Sequence, residues 1–199
     1  MKKFTVFLLL VCLMLPACAS KLMQLEENVA QQSALAPEQA AIVFYRADSF
    51  GGVIQAPVAE ICDNNICFVG IVSYGMKILH KTTPGHHQFF VGGESASLLD
   101  ATLESGKYYY VEIDPRMGFG KARFAFVPAT KEMLISKSFR EDYASCKWYS
   151  NTDAGSIWFK DNFESMSEKK DTALKKRDSA EEKKKAILMP DSGTDSLLP

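Results

Sequence analysis

The chain has 199 residues, 47% of them apolar, with 23 basic against 24 acidic side chains and a formal net charge of −1. This apolar and aromatic content is that of a globular protein, and the length suits one domain with a real core plus extensions. The charges nearly cancel and the basic ones gather toward the C-terminal end instead of interleaving with aromatics on a sheet, which argues against nucleic acid as a partner.

Residues 1–17 have the order of parts of a signal peptide: Met1-Lys2-Lys3, an apolar run from Phe4 to Leu15, then Pro16-Ala17-Cys18-Ala19-Ser20. The run is about 12 residues, short of the ~20 that cross a bilayer as a helix, so it reads as a cleaved leader and not as a permanent span. Two cuts are open. Leu15-Pro16-Ala17-Cys18 resembles a bacterial lipobox, in which the cysteine is acylated and becomes the first residue, although Pro16 stands where a small residue is more usual. Ala17-Cys18-Ala19 also satisfies the A-x-A rule, and cleavage after Ala19 would release a soluble periplasmic protein. The lipobox is the preferred reading, with Cys18 as the lipidation site. Each buried methylene contributes about 0.8 kcal/mol, so more than one acyl chain holds a protein on a membrane without any further apolar segment. Similarity to sorted bacterial lipoproteins adds an address. Ala19 is not the aspartate typical of inner-membrane retention, which implies the outer membrane, lipid-anchored and facing the periplasm.

Residues 18–39 are polar and small and read as the lipidated N-terminus and a tether. A β-domain is then expected over 40–128. It opens with Ala40 to Arg46, followed by runs Ala56 to Cys62, Cys67 to Ser73, Met76 to Lys81, His86 to Val91, Ala96 to Leu103, Lys107 to Ile113 and Lys121 to Val127. Pro84-Gly85, Ser105-Gly106 and Gly118-Phe119-Gly120 supply the turns between them. Short β-branched and aromatic runs at this spacing predict a mainly β fold, an antiparallel β-sandwich of about seven or eight strands with a C-terminal helical extension. In the run from Tyr108 to Ile113, alternation places Tyr109, Val111 and Ile113 on one face and Tyr108, Tyr110 and Glu112 on the other.

Cys62 and Cys67 flank Asp63-Asn64-Asn65-Ile66. With Asn64-Asn65 as a two-residue turn, Cys62 faces Cys67 as a non-hydrogen-bonded pair, and an oxidising compartment lets the two form a disulfide. The spacing lacks the C-x-x-C form of a redox motif. Cys146 is left without a partner, free for burial or intermolecular pairing.

Residues 129–187 read as a helical extension, with short helices at Lys131 to Lys137 and Asp142 to Trp148. A longer helix follows, with Asp153 as N-cap, an apolar stripe of Phe159, Phe163, Met166 and Ala173, and an end near Ile187. Its second half carries Asp171 with Lys175 and Glu181 with Lys185 at i,i+4 spacing, the pattern of a solvated helix or of an arm reaching a partner or the cell wall. Residues 188–199 read as a disordered tail.

The order of these features resembles an uncharacterised family of small bacterial lipoproteins with a domain of unknown function, related in pattern to PEGA-type β-sandwich modules. The resemblance rests on the lipobox-like Cys18, Ile42-Val43-Phe44-Tyr45-Arg46, the turn at Asp63-Asn64-Asn65, Gly70, Pro84-Gly85-His86-His87, Gly106-Lys107-Tyr108-Tyr109-Tyr110-Val111 and Met117-Gly118-Phe119-Gly120-Lys121-Ala122-Arg123-Phe124. It spans Ala40 to about Val127, with Leu188-Met189-Pro190-Asp191-Ser192-Gly193 as a related ending. In that family the hairpin usually carries Asp-Gly or Asn-Gly followed by a lysine, whereas here Asn64-Asn65 and flanking cysteines replace it. The resemblance implies a fold and a compartment, and brings no catalytic residues with it.

Motifs for chemistry are sparse. There is no G-x-S-x-G and no phosphate-binding loop, and Gly118-Phe119-Gly120-Lys121-Ala122-Arg123 reads as a turn. A turn from Thr82 to Gly85 would place His80 opposite His87 across a hairpin, near enough to share a metal, with His86 on the other face; two ligands fall short of a metal site, so no cofactor is expected. Glu60, Glu94, Asp100 and Asp114 are scattered along the chain, and no acid/base pair can be read from their spacing. Tyr108 and Tyr110 could offer an outward aromatic platform for a glycan or peptide, against the simpler reading of core packing. The leading expectation is a noncatalytic envelope module, membrane-attached through its N-terminal lipid and contacting another envelope protein. A peptidoglycan- or glycan-binding periplasmic module is the alternative, and a hydrolase using His80 or His87 the third.

Overall fold

Ala40-Ala41-Ile42-Val43-Phe44-Tyr45-Arg46 forms β2 (Ala40–Arg46), and every residue in it is buried. A strand apolar on both faces needs cover on both sides, and the computed structural model supplies it with two sheets and helical layers. The structure describes residues 21–27, 29, 33–63, 65–120, 122–179 and 186–199. The leader with Cys18 and Ala19, the turn residue Asn64, Lys121 and the expected pair of Glu181 with Lys185 all lie outside the described residues.

In chain order the strands are β1 (Met23–Leu25), β2, β3 (Ala56–Cys62), β4 (Asn65–Val72), β5 (Met76–Thr82), β6 (Gly85–Gly92), β7 (Ala96–Leu103), β8 (Tyr108–Arg116), β9 (Arg123–Pro128), β10 (Lys147–Asn151) and β11 (Ala186–Leu188). The helices are α1 (Lys131–Ile135), α2 (Lys137–Ser145), α3 (Asp153–Asp161) and α4 (Phe163–Ser179). One sheet has the order β1-β10-β5-β2-β8-β9 and the other β11-β7-β6-β3-β4. The fold is therefore mainly β with C-terminal helices, but it is not strictly antiparallel and has more strands than the eight read from the sequence. The pairs β2–β8, β10–β5 and β11–β7 are parallel. The chain leaves the first sheet after β2 to place β3 and β4 in the second, comes back for β5, adds β6 and β7 to the second, and returns again so that β8 runs beside β2 in the same direction. Alternation along a strand carries no information about such direction.

Side chains of both sheets share the largest core, which includes Ile42, Phe44, Tyr109, Val111 and Phe124 from one sheet and Val58, Ile71, Phe89 and Leu99 from the other. Phe44 and Phe89 meet edge to face with ring centroids 5.5 Å apart. A second core lies behind the first sheet, where Val43, Tyr45, Tyr108 and Tyr110 pack on Leu134, Phe139, Tyr143 and Cys146. A third lies behind the second sheet, where Ala59, Ile66 and Phe90 meet Phe159 and Met166.

Helix starts follow local chemistry. Thr130, Ser136 and Thr152 cap α1, α2 and α3 through their hydroxyls, so the N-cap of α3 is Thr152 and not Asp153. The expected long helix is divided at Asn162, whose amide donates to the Trp158 carbonyl. Within its stripe Phe159, Met166 and Ala173 are buried, while Phe163 is 39% exposed. Asp171 lies beside Lys170 at 2.9 Å.

Three expectations at the ends of the chain are corrected. Within the expected tether, Met23–Leu25 is a strand pairing with β10, because β10 presents an open edge and Met23 finds a place in the shared core. The segment expected as the end of a helix at Trp148 is that same β10, which adds to the edge of β5. The tail is ordered: Leu188 is buried in β11, Thr194 bridges to Tyr108, and Leu197 and Leu198 pack on the second core. Among the described residues no helix is long and apolar enough to cross a membrane.

Candidate functional site

Glu60 on β3 and His87 on β6 lie on neighbouring strands, two positions off register on one face, since Glu60 is directly opposite Phe89. His80 reaches the same point from β5 of the other sheet. Glu60 Oε1 is 2.6 Å from His87 Nδ1, and Glu60 Oε2 is 3.1 Å from His80 Nε2. The expected hairpin is thus not what joins the histidines: β5 pairs with β2 and β6 with β3 and β7, so the Thr82–Gly85 link crosses between sheets. A carboxylate that the sequence left unassigned stands between them.

His87 Nε2 lies 2.8 Å from the Thr83 carbonyl, which can only accept, so with Glu60 ionised both ring nitrogens are placed to donate and the site favours the charged ring. Glu60 is 12% exposed, as is His87. Burial alone would raise the Glu60 carboxyl, but hydrogen bonds from His80 and His87 and their charge outweigh it and hold its pKa down at about 2. His87 is raised, first by its hydrogen bond to Glu60 and against the opposing effect of burial. The Phe89 ring screens the cluster, its centroid 5.7 Å from that of His80 and 6.2 Å from that of His87.

This arrangement can hold one negative charge between two sheets and tie them together. For His87 to act as a general base it would first have to give up one of its two acceptors. Among the described residues no group of three His, Cys, Asp or Glu side chains is placed to hold a metal ion.

The other carboxylates each serve a separate contact. Asp100 accepts from Gln88 at 2.7 Å and from Arg177 of α4 at 3.1 Å, docking the helix on β7, with the exposed His86 3.7 Å away. Glu94 accepts from Arg123 and from the Gly120 N–H, and Asp114 from Arg116. Tyr108 and Tyr110 form no outward platform, being 7% and 1% exposed. The face they share is covered by α1, α2 and the C-terminal segment. The Tyr108 hydroxyl donates to the Ser33 carbonyl, and the Tyr110 hydroxyl accepts from the Leu198 N–H.

Cys62 and Cys67 are disulfide-bonded, with Cα atoms 6.0 Å apart. The hairpin register differs from the one expected. Cys62 is opposite Asn65 and Glu60 opposite Cys67, so the cysteines are diagonal neighbours. Asp63 takes the left-handed conformation, with φ 52°, and moves the turn one residue earlier. Cys146 is a buried free thiol, pushed up by burial.

Two buried cations escaped the sequence reading. Lys77 donates to the Tyr143 carbonyl at 3.1 Å and sits 3.8 Å from the centre of the Tyr143 ring. Arg46 is fully buried, donates to the carbonyls of Phe50, Gly51 and Ile54, and lies 5.2 Å over the Phe124 ring. The only signal for Arg46 was its place at the end of an unbroken apolar run.

No family model, no curated protein and no solved structure matches this chain.

Proposed function

We propose that this protein is a noncatalytic cell-envelope lipoprotein, a two-sheet β-sandwich module held on the periplasmic face of the outer membrane by acylated Cys18 and contacting another envelope protein. The observation that carries the reading is the apolar leader closing at Leu15-Pro16-Ala17-Cys18, three residues before Lys21. The Lys21 and Leu22 carbonyls both accept from the Thr152 hydroxyl, so the folded domain begins almost at the anchor. The Cys62–Cys67 disulfide suits an oxidising compartment. The resemblance to small bacterial lipoproteins with PEGA-like modules points the same way. Glu60, His80 and His87 then serve as a charged tie between the sheets.

The test is Cys18→Ser in the exporting host, with membrane fractionation and globomycin. The reading expects the unsubstituted protein in the outer-membrane fraction, accumulation of precursor under globomycin, and loss of both behaviours in the variant. Processing indifferent to the drug, together with a soluble product, would overturn it in favour of cleavage after Ala19. Crosslinking in intact cells followed by mass spectrometry identifies the neighbour.

A further inference from the structure

Tyr108 and Tyr110 are covered by α1 and α2 and by the last residues of the chain, and between these two covers lies a cleft of about 630 Å³. That is within the roughly 300–1,000 Å³ of small-molecule sites. Its walls include Leu134 and Ile135 of α1, Phe139 and Ala144 of α2, and Leu198 of the final segment. Both covers are fixed in place. The Leu198 N–H donates to the Tyr110 hydroxyl at 2.8 Å, Thr194 pairs with Tyr108 through the backbone, and Lys107 holds Asp195 at 2.6 Å. On the other side α2 is capped by Ser136 and anchored by the buried Phe139 and Tyr143.

The charged side chains in the walls are Lys131 and Arg140, with no acidic side chain beside them. Neither forms an ion pair among the described residues. The acids around them are engaged elsewhere: Asp195 with Lys107, Glu141 with Lys137 at 3.5 Å, and Glu132 with the Thr130 hydroxyl. An apolar cleft whose charges are two unpaired cations is complementary to an apolar molecule with an anionic head. The rings in the wall are already taken by one another. Phe139 stacks on Tyr143 with centroids 5.7 Å apart, and Tyr45 and Tyr110 meet both of them edge on. What they leave to a ligand is the aliphatic surface of Leu134, Ile135, Ala144 and Leu198.

We propose that this cleft binds a fatty acid, its hydrocarbon chain along the aliphatic wall and its carboxylate held by Lys131 and Arg140. A docking protein segment would need apolar surface that continues past the cleft, and the flanking surface of α1 and α2 is charged, with Glu132, Lys137, Glu141 and Asp142 exposed. The site is additional to the tether and independent of how the leader is cut.

The experiment uses the full chain as matured by the exporting host, incubated with palmitate carrying a photoreactive diazirine on its chain and, in parallel, with the matching uncharged hexadecanol. Labelled residues are located by mass spectrometry. The acid should label residues 131–144 and 193–199, about five-fold more than the alcohol, the ratio that two exposed charge contacts supply. Excess unlabelled palmitate should remove that label. Lys131→Gln with Arg140→Gln should erase the preference for the acid, and Ala144→Trp should fill the cleft and abolish labelling by both probes. Ile135→Glu, at a side chain already 72% exposed, should repel the acid and leave the alcohol, without disturbing the core. Equal labelling by acid and alcohol in the unsubstituted protein, label confined to other residues, or label that survives Ala144→Trp overturns the assignment. Crosslinks between two copies through residues 131–144, lost in Ala144→Trp, would give the cleft to a second copy and likewise overturn it.

Discussion

Glu60→Gln removes the charge at the centre of the inter-sheet tie and keeps the side chain's size. A carboxyl lowered from 4.5 to about 2 carries roughly 3 kcal/mol of preference for the ionised folded state. The cluster retains some contact with water, so the loss on substitution is about 2 kcal/mol, between the values for exposed and fully buried pairs. That corresponds to a fall in Tm of about 4–8 °C. The pH dependence follows from the direction of each shift. Glu60 is lowered, so its stabilisation is present above its unfolded value of 4.5 and lost as pH falls through about 2. His87 is raised, so its stabilisation is complete below an unfolded value of 6.5 and lost as pH rises through its higher folded value. The gap between parent and variant should therefore be widest from about pH 4.5 to 6.5 and narrow on both sides. Urea unfolding of both proteins at pH 2.5, 5.5 and 9 measures it. A gap equal at all three, or below about 0.5 kcal/mol at pH 5.5, refutes the assignment of charge to this cluster.

The remaining predictions concern the hairpin, the strand next to the tether and the buried arginine. Reducing the disulfide, or Cys62→Ser with Cys67→Ser, releases a short loop and should cost about 2 kcal/mol in the chain-entropy account; a Tm unchanged by reductant contradicts it. Gly155→Ala would drive a methyl into the Leu22 carbonyl, which approaches Gly155 closely. Overpacking of this kind costs about 1–3 kcal/mol and should loosen β1, read as faster tryptic cleavage after Lys21. Unchanged cleavage would show that the N-terminal segment is held elsewhere. Arg46→Leu leaves the Phe50, Gly51 and Ile54 carbonyls without their donor and should lower stability by about 3 kcal/mol. Hydrogen exchange should rise first in residues 47–55, and uniform exchange there would argue against the arginine as the loop's anchor.

Strand positions were legible because alternation and turn residues report them directly, as at Ala40–Arg46, Ala56–Cys62 and Ala96–Leu103, where the boundaries agree. What covers a strand was not. Alternation set Tyr108 and Tyr110 on the face opposite Tyr109 and favoured packing over a platform, but it could not name what covers that face, which is α1, α2 and Leu197-Leu198, a fact of tertiary packing. The same gap hid the order in residues 188–199, whose few apolar side chains complete cores built by distant strands. Lys147–Asn151 has helical spacing on one side and two aromatics, and the open edge of β5 decides for strand. The hairpin register turned on Asp63 accepting a positive φ, which moves the turn by one residue and the partner of Cys62 by two, from Cys67 to Asn65, while leaving the cysteines close enough to bond. The histidines stood out, but Glu60, 20 residues from His80, joins them only through the meeting of two sheets.

The claim on which the account depends most is that the mature chain begins at a diacylated or triacylated Cys18. Intact-mass analysis of the protein purified from the membranes of an exporting host tests it directly. The account predicts a chain starting at Cys18 with the added mass of its acyl groups. A chain that starts at Ser20 without lipid, or that retains Met1, would contradict it.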